Sequence, residues 1–273
     1  MDAHRFAVLR DLEPVVEALL PQLRPVEACW QPSDLLPSMG EGWRDEVAAL
    51  REEAAALTDE MLVVLVGNVV TEEALPSYLA ELNRFHRLGD DGGTATHPWA
   101  RWNRAWTAEE KRHGDVTRAY VYLSGRVDVH AMEVTVQHLL RHGFCTRSDG
   151  DPYRGLTYAS VQEHATKLAW TQLGRMAGSL GATRLHRICG VVAADEARHE
   201  RVYASLLKEV VARDPEHAVS SIAATLGQGV VMPARGMTDG SDRLLFQHFA
   251  TVGQRLGIYT IDDYVQNVEA LTI

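Results

Sequence analysis

One short motif occurs twice in this chain and limits what the chain can fold into. It reads 109-EEKRHG-114 and, 86 residues later, 195-DEARHE-200. Both copies contain Glu-x-Arg-His, and a second acid precedes the Glu in each. Residues three apart lie on one face of a helix, so each copy presents a carboxylate and an imidazole to the same point. The motif therefore predicts two helices whose Glu/His faces meet.

Helical spacing of apolar residues dominates the sequence, and strand signals are weak. The spacing predicts helices at nine segments: 44–57, 59–86, 99–125, 127–142, 154–180, 182–213, 217–228, 241–256 and 260–271. Pro76 lies inside the second segment and should kink it. Long helices with short turns predict an antiparallel bundle. Nothing marks a domain boundary, so we expect one domain over residues 1–273 with a core bundle at about 59–214.

The composition argues against several classes of protein. A formal net charge of -10 disfavours binding to nucleic acid or to an anionic membrane, because both need positive surface. The most apolar run, 61–70, is too short for the roughly 20 residues of a transmembrane helix. Cys29, Cys145 and Cys189 form no Cys-x-x-Cys motif, which disfavours disulfide frameworks and thiolate metal sites. With no signal-peptide pattern at the N-terminus, we expect a cytoplasmic protein.

The two Glu/His pairs contain the donors of a divalent metal site, since carboxylate oxygen and imidazole nitrogen suit such ions. Of twelve histidines, only His113 and His199 follow a Glu by three positions. A helix cap or surface ion pairing is the other interpretation, because Thr107 and Glu110 match the capping-box pattern. The second copy has Ala193 at the capping position, so a cap cannot explain it.

Two Glu and two His are too few for two metal ions in a bundle, which takes one more Glu from each of two other helices. Glu72 or Glu73 is the candidate before the first pair, and Glu163 is the candidate before the second. The order becomes Glu, Glu-x-x-His, Glu, Glu-x-x-His, an internal two-fold repeat. Four carboxylates and two divalent cations have balancing charges, which a buried site requires. For each lone Glu taken singly, the alternative is a solvated helix face.

Longer motifs surround these residues: 26-VEACWQP-32, 66-VGNVVTEEALPSY-78, 104-RAWTAEEKRHGD-115, 119-AYVYLSGRVD-128, 188-ICGVVAADEARHE-200 and 254-QRLGIYT-260. They resemble stretches of the soluble acyl-[acyl-carrier-protein] desaturases, the stearoyl-type enzymes of plastids and their bacterial relatives. The resemblance runs in register from about residue 25 to about residue 265. It implies an all-α, ferritin-like antiparallel bundle with additional flanking helices. It also implies an enzyme that places a cis double bond in an acyl chain held on acyl carrier protein.

The resemblance implies roles position by position. The implied ligands of two iron ions, for which manganese can substitute, are Glu72, Glu110, His113, Glu163, Glu196 and His199. Thr166 matches the threonine beside the oxygen-binding face and is the implied catalytic residue. Asp195 and Trp30 match a route from His113 toward the surface. Asp195 and Glu109 would also fix the tautomers of ligating imidazoles.

The implied partners are O2, a ferredoxin-type electron donor and acyl carrier protein, and the implied assembly is a homodimer. The carrier is acidic, so its docking needs a local basic patch. Five arginines are available for that patch: Arg5, Arg10, Arg24, Arg51 and Arg243.

Four residues are expected to line the acyl tunnel: Glu81, Arg84, Phe85 and Phe246. Glu81 and Arg84 replace a more apolar and neutral stretch of the plant enzymes, and a charged pair inside a hydrocarbon tunnel must be paired or turned outward. Two alternatives to a desaturase therefore stay open. One is a relative that binds metal and a lipid or protein partner, and the other is a ferritin-like iron-oxidising, storage or radical-generating protein.

Four aromatic residues around the first motif are expected to pack in the core rather than contact a cofactor: Trp102, Trp106, Tyr120 and Tyr122.

Overall fold

The structure, a computed structural model, describes residues 3–38, 40–85 and 93–271, without the side chain of Phe85. Within these ranges all regular structure is helical. The α-helices in chain order are α1 (Ala3–Asp11), α2 (Glu13–Leu19), α3 (Trp43–Ala55), α4 (Asp59–Glu73), α5 (Leu75–Phe85), α6 (Pro98–Ser124), α7 (Val129–His142), α8 (Pro152–Ser179), α9 (Thr183–Arg213), α10 (Pro215–Gly227), α11 (Leu245–Arg255) and α12 (Ile261–Ala270).

Side-chain caps fix where the long helices α6 and α8 begin. His97 accepts a hydrogen bond from the N–H of Ala100 at the start of α6, and Asp151 accepts one from Tyr153 at the start of α8. A proline occupies the first position of both helices, where no intrahelical N–H is needed. Because α6 begins at Pro98, Thr107 lies in its interior. The capping interpretation of the first motif is therefore wrong.

Two apolar clusters lie on either side of a polar layer. The α4 cluster joins α3, α4 and α7 to the C-terminal parts of α6 and α8 and the N-terminal part of α9. The α1 cluster joins α1, α2 and α10 to the opposite ends of α6, α8 and α9. The order of the clusters shows that α6 and α8 run one way and that α9 runs the other. The buried apolar residues of α4 belong to the α4 cluster alone, but α4 leads into α5, whose Leu82 belongs to the α1 cluster, so this segment runs in the direction of α9. The bundle is therefore antiparallel, as the sequence predicts.

The predicted kink at Pro76 is a complete break. Helix α4 ends at Glu73 and α5 begins at Leu75, so Pro76 falls in the first turn of the new helix, where a proline costs no hydrogen bond. The spacing did not predict α1 and α2. These helices have nine and seven residues, too few to be stable alone. Packing on the bundle holds them through buried Leu9 of α1, Val16 of α2 and Leu12 between the two helices.

In the described ranges no single helix is both long and apolar enough to cross a bilayer, and only α3 and α4 together, bent by 117°, satisfy that length and composition.

Candidate metal centre

Six acidic and imidazole side chains from four helices meet in the polar layer. All six are buried: Glu72 from α4, Glu110 and His113 from α6, Glu163 from α8, and Glu196 and His199 from α9. They form two groups of four whose donor atoms lie within 4.8 Å of one another, and both groups contain Glu110 and Glu196. We call them the His113 half-site, which adds Glu72, and the His199 half-site, which adds Glu163.

The two shared carboxylates each direct one oxygen toward each imidazole. His113 Nδ1 lies 3.3 Å from Oε2 of Glu110 and 3.4 Å from Oε1 of Glu196. His199 Nδ1 lies 2.8 Å from Oε1 of Glu110 and 4.0 Å from Oε2 of Glu196. This is the arrangement of two carboxylates that bridge a pair of cations.

The two remaining glutamates complete the half-sites from opposite sides. Glu72 Oε2 lies 3.9 Å from His113 Nδ1, and Glu163 Oε2 lies 3.5 Å from His199 Nδ1. A tryptophan orients each of them: Trp170 Nε1 donates to Oε1 of Glu72 at 3.0 Å, and Trp106 Nε1 donates to Oε1 of Glu163 at 3.0 Å. The second oxygen of each carboxylate is thereby left for the centre.

The outer nitrogen of each imidazole faces an acid from the neighbouring motif. His113 Nε2 lies 3.4 Å from Oδ2 of Asp195, and His199 Nε2 lies 3.0 Å from Oε2 of Glu109. Burial opposes ionisation of both acids, but their hydrogen bonds to the imidazoles hold the pKa of Asp195 and of Glu109 below the usual range. A charged acid at Nε2 keeps the proton there, so the Nδ1 lone pair points into the centre.

The arginine of each motif ties these acids together. Arg198 Nη2 lies 2.6 Å from Oδ1 of Asp195 and 3.0 Å from Oε2 of Glu109. Arg112 Nη2 lies 3.1 Å from Oδ2 of Asp195, and Arg112 Nη1 donates to the backbone oxygen of Trp30 at 2.7 Å. Buried acids need such partners. The two arginines therefore explain why Arg precedes His in both motifs.

Unpartnered atoms in the centre test whether a metal fits. Among the described residues, Oε1 of Glu110 and Nδ1 of His113 and His199 are buried without a hydrogen-bond partner. Each such atom costs about 1–3 kcal/mol. Burial also raises the pKa of Glu72 and Glu163 well above the usual range. Divalent cations between these atoms would satisfy all three and offset the carboxylate charges, so the residues fit a metal centre.

Trp30 lies beside Asp195 and His113, and Thr166 lies one turn after Glu163 on α8. Trp30 Nε1 donates to Oδ2 of Asp195 at 3.0 Å, and its half-buried ring stacks on His113 with 6.1 Å between ring centroids. Thr166 Oγ1 donates to the backbone oxygens of Gln162 and Glu163, at 3.2 Å each, and lies at the wall of a cavity.

That cavity has a volume of about 350 Å³ and a mostly apolar wall between α4, α8 and α11. Phe246 and Phe249 of α11 form part of it. A Cβ atom at Gly67 would lie 2.2 Å from the Phe249 ring, so only glycine lets that ring pack against α4. The cavity extends from Thr166 to this aromatic pair.

Comparison with known proteins identifies the family, because residues 4–273 match the fatty acid desaturase family. The chain belongs to that family. It is 46% identical over 258 residues to stearoyl-[acyl-carrier-protein] 9-desaturase 6 of Arabidopsis thaliana, with 93% of this chain and 66% of that protein covered. It is 45% identical to the acyl-[acyl-carrier-protein] desaturase of Cucumis sativus, with 99% and 69% covered. The chain thus spans only about two thirds of the length of these relatives.

Solved structures share the fold of this fatty acid desaturase. DesA2 of Mycobacterium tuberculosis H37Rv has a TM-score of 0.61 and 20% identity, with 97% of this chain and 93% of that chain covered. An R2-like ligand-binding oxidase with a Mn/Fe cofactor has a TM-score of 0.55 and 14% identity, with 95% and 92% covered. These likenesses confirm the predicted all-α, ferritin-like bundle with flanking helices.

Two of the expected tunnel residues, Glu81 and Arg84, do not contribute to the cavity of this fatty acid desaturase. Glu81 is buried and accepts hydrogen bonds from the N–H and Oγ1 of Thr146, at 3.1 and 2.9 Å. Arg84 pairs with it at 2.7 Å, with its own side chain 58% exposed. Both are therefore paired, and neither lies in the cavity wall. Phe85 lies outside the described side chains.

The expected core role of the four aromatic residues is partly wrong. Trp102 and Tyr120 are buried in the two apolar clusters, but Tyr122 is 41% exposed. Trp106 is buried and also orients Glu163, so it is more than packing. The indole of Trp170 has the same role toward Glu72 and was missed, because nothing in the sequence around it signals a contact with α4.

Proposed function

We propose that this chain is an acyl-[acyl-carrier-protein] desaturase, which introduces a cis double bond into a fatty acyl chain held on acyl carrier protein. The observation that carries the proposal is a double half-site, with shared Glu110 and Glu196, beside an apolar cavity that contains Thr166. Relatives of 45–46% identity are named acyl-carrier-protein desaturases, which supports the same activity. We further propose that residues 1–273 form one di-iron domain.

The metal in this proposal is a pair of iron ions, held by the six residues of the two half-sites. When bound, the iron pair supplies the O2 chemistry that removes hydrogen from an unactivated methylene. Manganese would also suit carboxylate and imidazole donors. Glu110 and Glu196 would belong to both half-sites, so loss of either residue would disrupt both.

The surrounding residues of the chain fix the geometry of those ligands. Trp170 and Trp106 orient Glu72 and Glu163 through their indole N–H groups. The apolar wall of the cavity excludes water from the reacting carbon. Thr166 has its hydroxyl at that wall, where it is placed to hold a proton at Oγ1 when it releases its backbone acceptors.

Electrons from a ferredoxin-type donor would enter through Trp30. Its ring is half-buried, stacks on His113 and donates to Asp195, so it connects the surface to the His113 half-site. The chain has no other aromatic ring stacked on His113 among the described residues. We place the donor at the outer edge of that ring.

The acidic carrier would dock on arginines of the surface. Four of the five candidate arginines are exposed: Arg10, Arg24, Arg51 and Arg243. The fifth, Arg5, is paired with Asp151 and donates to Ser221.

A homodimer and a cytoplasmic location belong to the same proposal. Three cysteines that form no disulfide agree with a reducing compartment.

Two measurements test this function in order. The first is iron per chain after reconstitution, with Mössbauer spectra, for the wild type and for Glu110→Ala and Glu196→Ala. We expect about two irons with the spectrum of an oxo-bridged pair, lost in both variants. The second is double-bond formation on acyl carrier protein loaded with several chain lengths, with ferredoxin and its reductase. Two irons without turnover at any chain length would favour the metal- and lipid-binding alternative.

A further inference from the structure

A second group of metal-binding side chains lies far from the bundle centre. His4 of α1, Asp214 between α9 and α10, and His217 of α10 bring one donor atom each within 4.8 Å of the others. His4 Nε2 lies 3.2 Å from Oδ2 of Asp214, and His217 Nδ1 lies 2.8 Å from Oδ1. The two imidazoles thus approach the two oxygens of one carboxylate.

The carboxylate at the middle of this group is fixed in place. Asp214 is only 7% exposed and links α9 to α10 in a non-helical conformation, just before Pro215. Tyr153 of α8 donates its hydroxyl to Oδ2 at 3.0 Å. His217 stands three residues later, on the first turn of α10, and so faces the same carboxylate. The chain therefore orients Asp214 before any ligand arrives.

The distances suit a cation between the three side chains. In proteins, zinc lies about 2.0–2.2 Å from imidazole nitrogen and carboxylate oxygen. Two donor atoms on one zinc ion are therefore about 2.9–3.4 Å apart when the donor–zinc–donor angle lies between the square and the tetrahedral value. The nitrogen–oxygen separations of 3.2 and 2.8 Å lie close to that range. His4 is 60% exposed and His217 is 45% exposed, which gives an ion access from solvent.

We propose that His4, Asp214 and His217 form a second metal site, which binds zinc or a similar divalent cation with two imidazoles and a carboxylate. This donor set favours zinc over magnesium or calcium, which prefer oxygen ligands alone. Asp214 follows His199 by 15 residues along α9, so the site lies roughly 20 Å from the bundle centre. The two sites share no residue.

Zinc at this site would fasten the first helix to the bundle. Helix α1 has nine residues and is held at present by packing and by Arg5, which pairs with Asp151 and donates to Ser221 at 3.1 Å. An ion that joins His4 to the α9–α10 junction would strengthen the existing contact between His4 and Asp214. We therefore expect zinc to raise the thermal stability of the whole chain.

The test uses the full chain with iron already loaded. Zinc chloride is added in slight excess, free metal is removed by gel filtration, and zinc and iron are counted by elemental analysis. We expect about one zinc per chain, unchanged iron and a higher Tm. His4→Ala and His217→Ala should each weaken zinc binding by more than about tenfold, since even residues outside the ligand shell change metal affinity by that factor.

His248→Ala is the matched control. His248 Nδ1 lies 2.7 Å from Asp242 with its side chain 64% exposed, so it is an equivalent His–Asp pair without a second imidazole. It should leave zinc binding unchanged, and the iron content of every variant reports whether the bundle is intact. Three results would overturn the proposal: no retained zinc, zinc retained equally in His217→Ala, or zinc gained with a matching loss of iron.

Discussion

The two half-sites have equivalent ligands but unequal surroundings. In each, three carboxylate oxygens face Nδ1 of an imidazole, an acid faces Nε2, and an arginine holds that acid. Outside this set, the acid of the His113 half-site accepts a hydrogen bond from half-buried Trp30. The acid of the His199 half-site, Glu109, instead accepts one from the backbone N–H of Arg24 at 3.0 Å.

Aromatic rings repeat the same inequality. His113 has Trp30 stacked on it at an interplanar angle of 8°, whereas Trp102 and Trp106 meet His199 edge-on at 6.5 and 6.3 Å. One imidazole is therefore linked to the surface, and the other is enclosed. The repeated motifs set the ligands, and residues outside the repeat make the halves different.

Removal of a shared carboxylate should have the largest effect. Glu110→Ala takes an oxygen from both half-sites, whereas Glu72→Ala takes one from the His113 half-site alone. We expect Glu110→Ala to lose both irons and all turnover, and Glu72→Ala to keep about one iron. Iron per chain checks this. Two irons in Glu110→Ala would show that the half-sites do not share it.

Replacement of the acids that face Nε2 of the imidazoles should have the next largest effect. Asp195→Asn and Glu109→Gln remove the charge that holds the proton on Nε2, so each should weaken iron binding by about 10–100-fold. Both arginines pair with both acids, but Arg112 lies 3.1 Å from Asp195 and 3.7 Å from Glu109, so Asp195→Asn should be worse. Competition with a chelator gives the affinities. Equal losses would mean that Arg112 adds nothing to the difference.

The rate of electron entry should distinguish the two half-sites in variants that keep all six ligands. Trp30→Phe should keep two irons, since Trp30 is not one of the six ligands, but it should slow reduction by ferredoxin because its ring stacks on His113. Trp102→Phe changes the ring beside His199 and should leave the reduction rate unchanged. Stopped-flow reduction of the oxidised protein measures both. The same rate in wild type and Trp30→Phe would place the donor elsewhere.

The effect on proton release should be smaller than these and equal for the two half-sites. Burial raises the pKa of Glu72 and Glu163, so without metal they hold protons at neutral pH, and iron must displace those protons. Iron affinity should therefore fall as the pH is lowered. Glu72→Gln and Glu163→Gln should each reduce by one the protons released on loading. A pH indicator in weak buffer counts them, and an unchanged count in either variant would contradict the assignment for that glutamate.

The smallest effect should come from Glu81→Gln. A glutamine can still accept the hydrogen bonds from Thr146, and the lost ion pair is with an exposed Arg84, worth less than about 1 kcal/mol. Urea denaturation should show that small loss, and the preferred acyl chain length should not change. A shifted chain-length preference would show that the acyl chain does reach Glu81.

The sequence predicts the ligands of this centre but not the indole groups that orient its two unshared glutamates. Glu110, His113, Glu196 and His199 follow from the spacing within one repeated motif, because that spacing is local to a helix. The indole donors do not, because a contact such as that of Trp170 with Glu72 joins residues 98 positions apart. The same holds for Glu81: the resemblance to the desaturases predicts a tunnel residue there, and its partner Thr146 lies in a loop far along the chain.

Local pattern also explains the errors in the helices. The long amphipathic segments were found within a few residues of their ends, and the break near Pro76 follows from the geometry of proline. Helices α1 and α2 were missed because their stability comes from the surface on which they pack, through buried Leu9, Leu12 and Val16.

The polar layer between the α4 and α1 clusters has a mechanical consequence. A continuous apolar core would let the two ends of the bundle stabilise each other directly, but here a plane of ionisable groups separates them. Without cations, that plane contains buried atoms that lack a hydrogen-bond partner, among them Nδ1 of His113 and His199. Bound cations would join four helices at one point, so the loading of metal would also make the scaffold rigid.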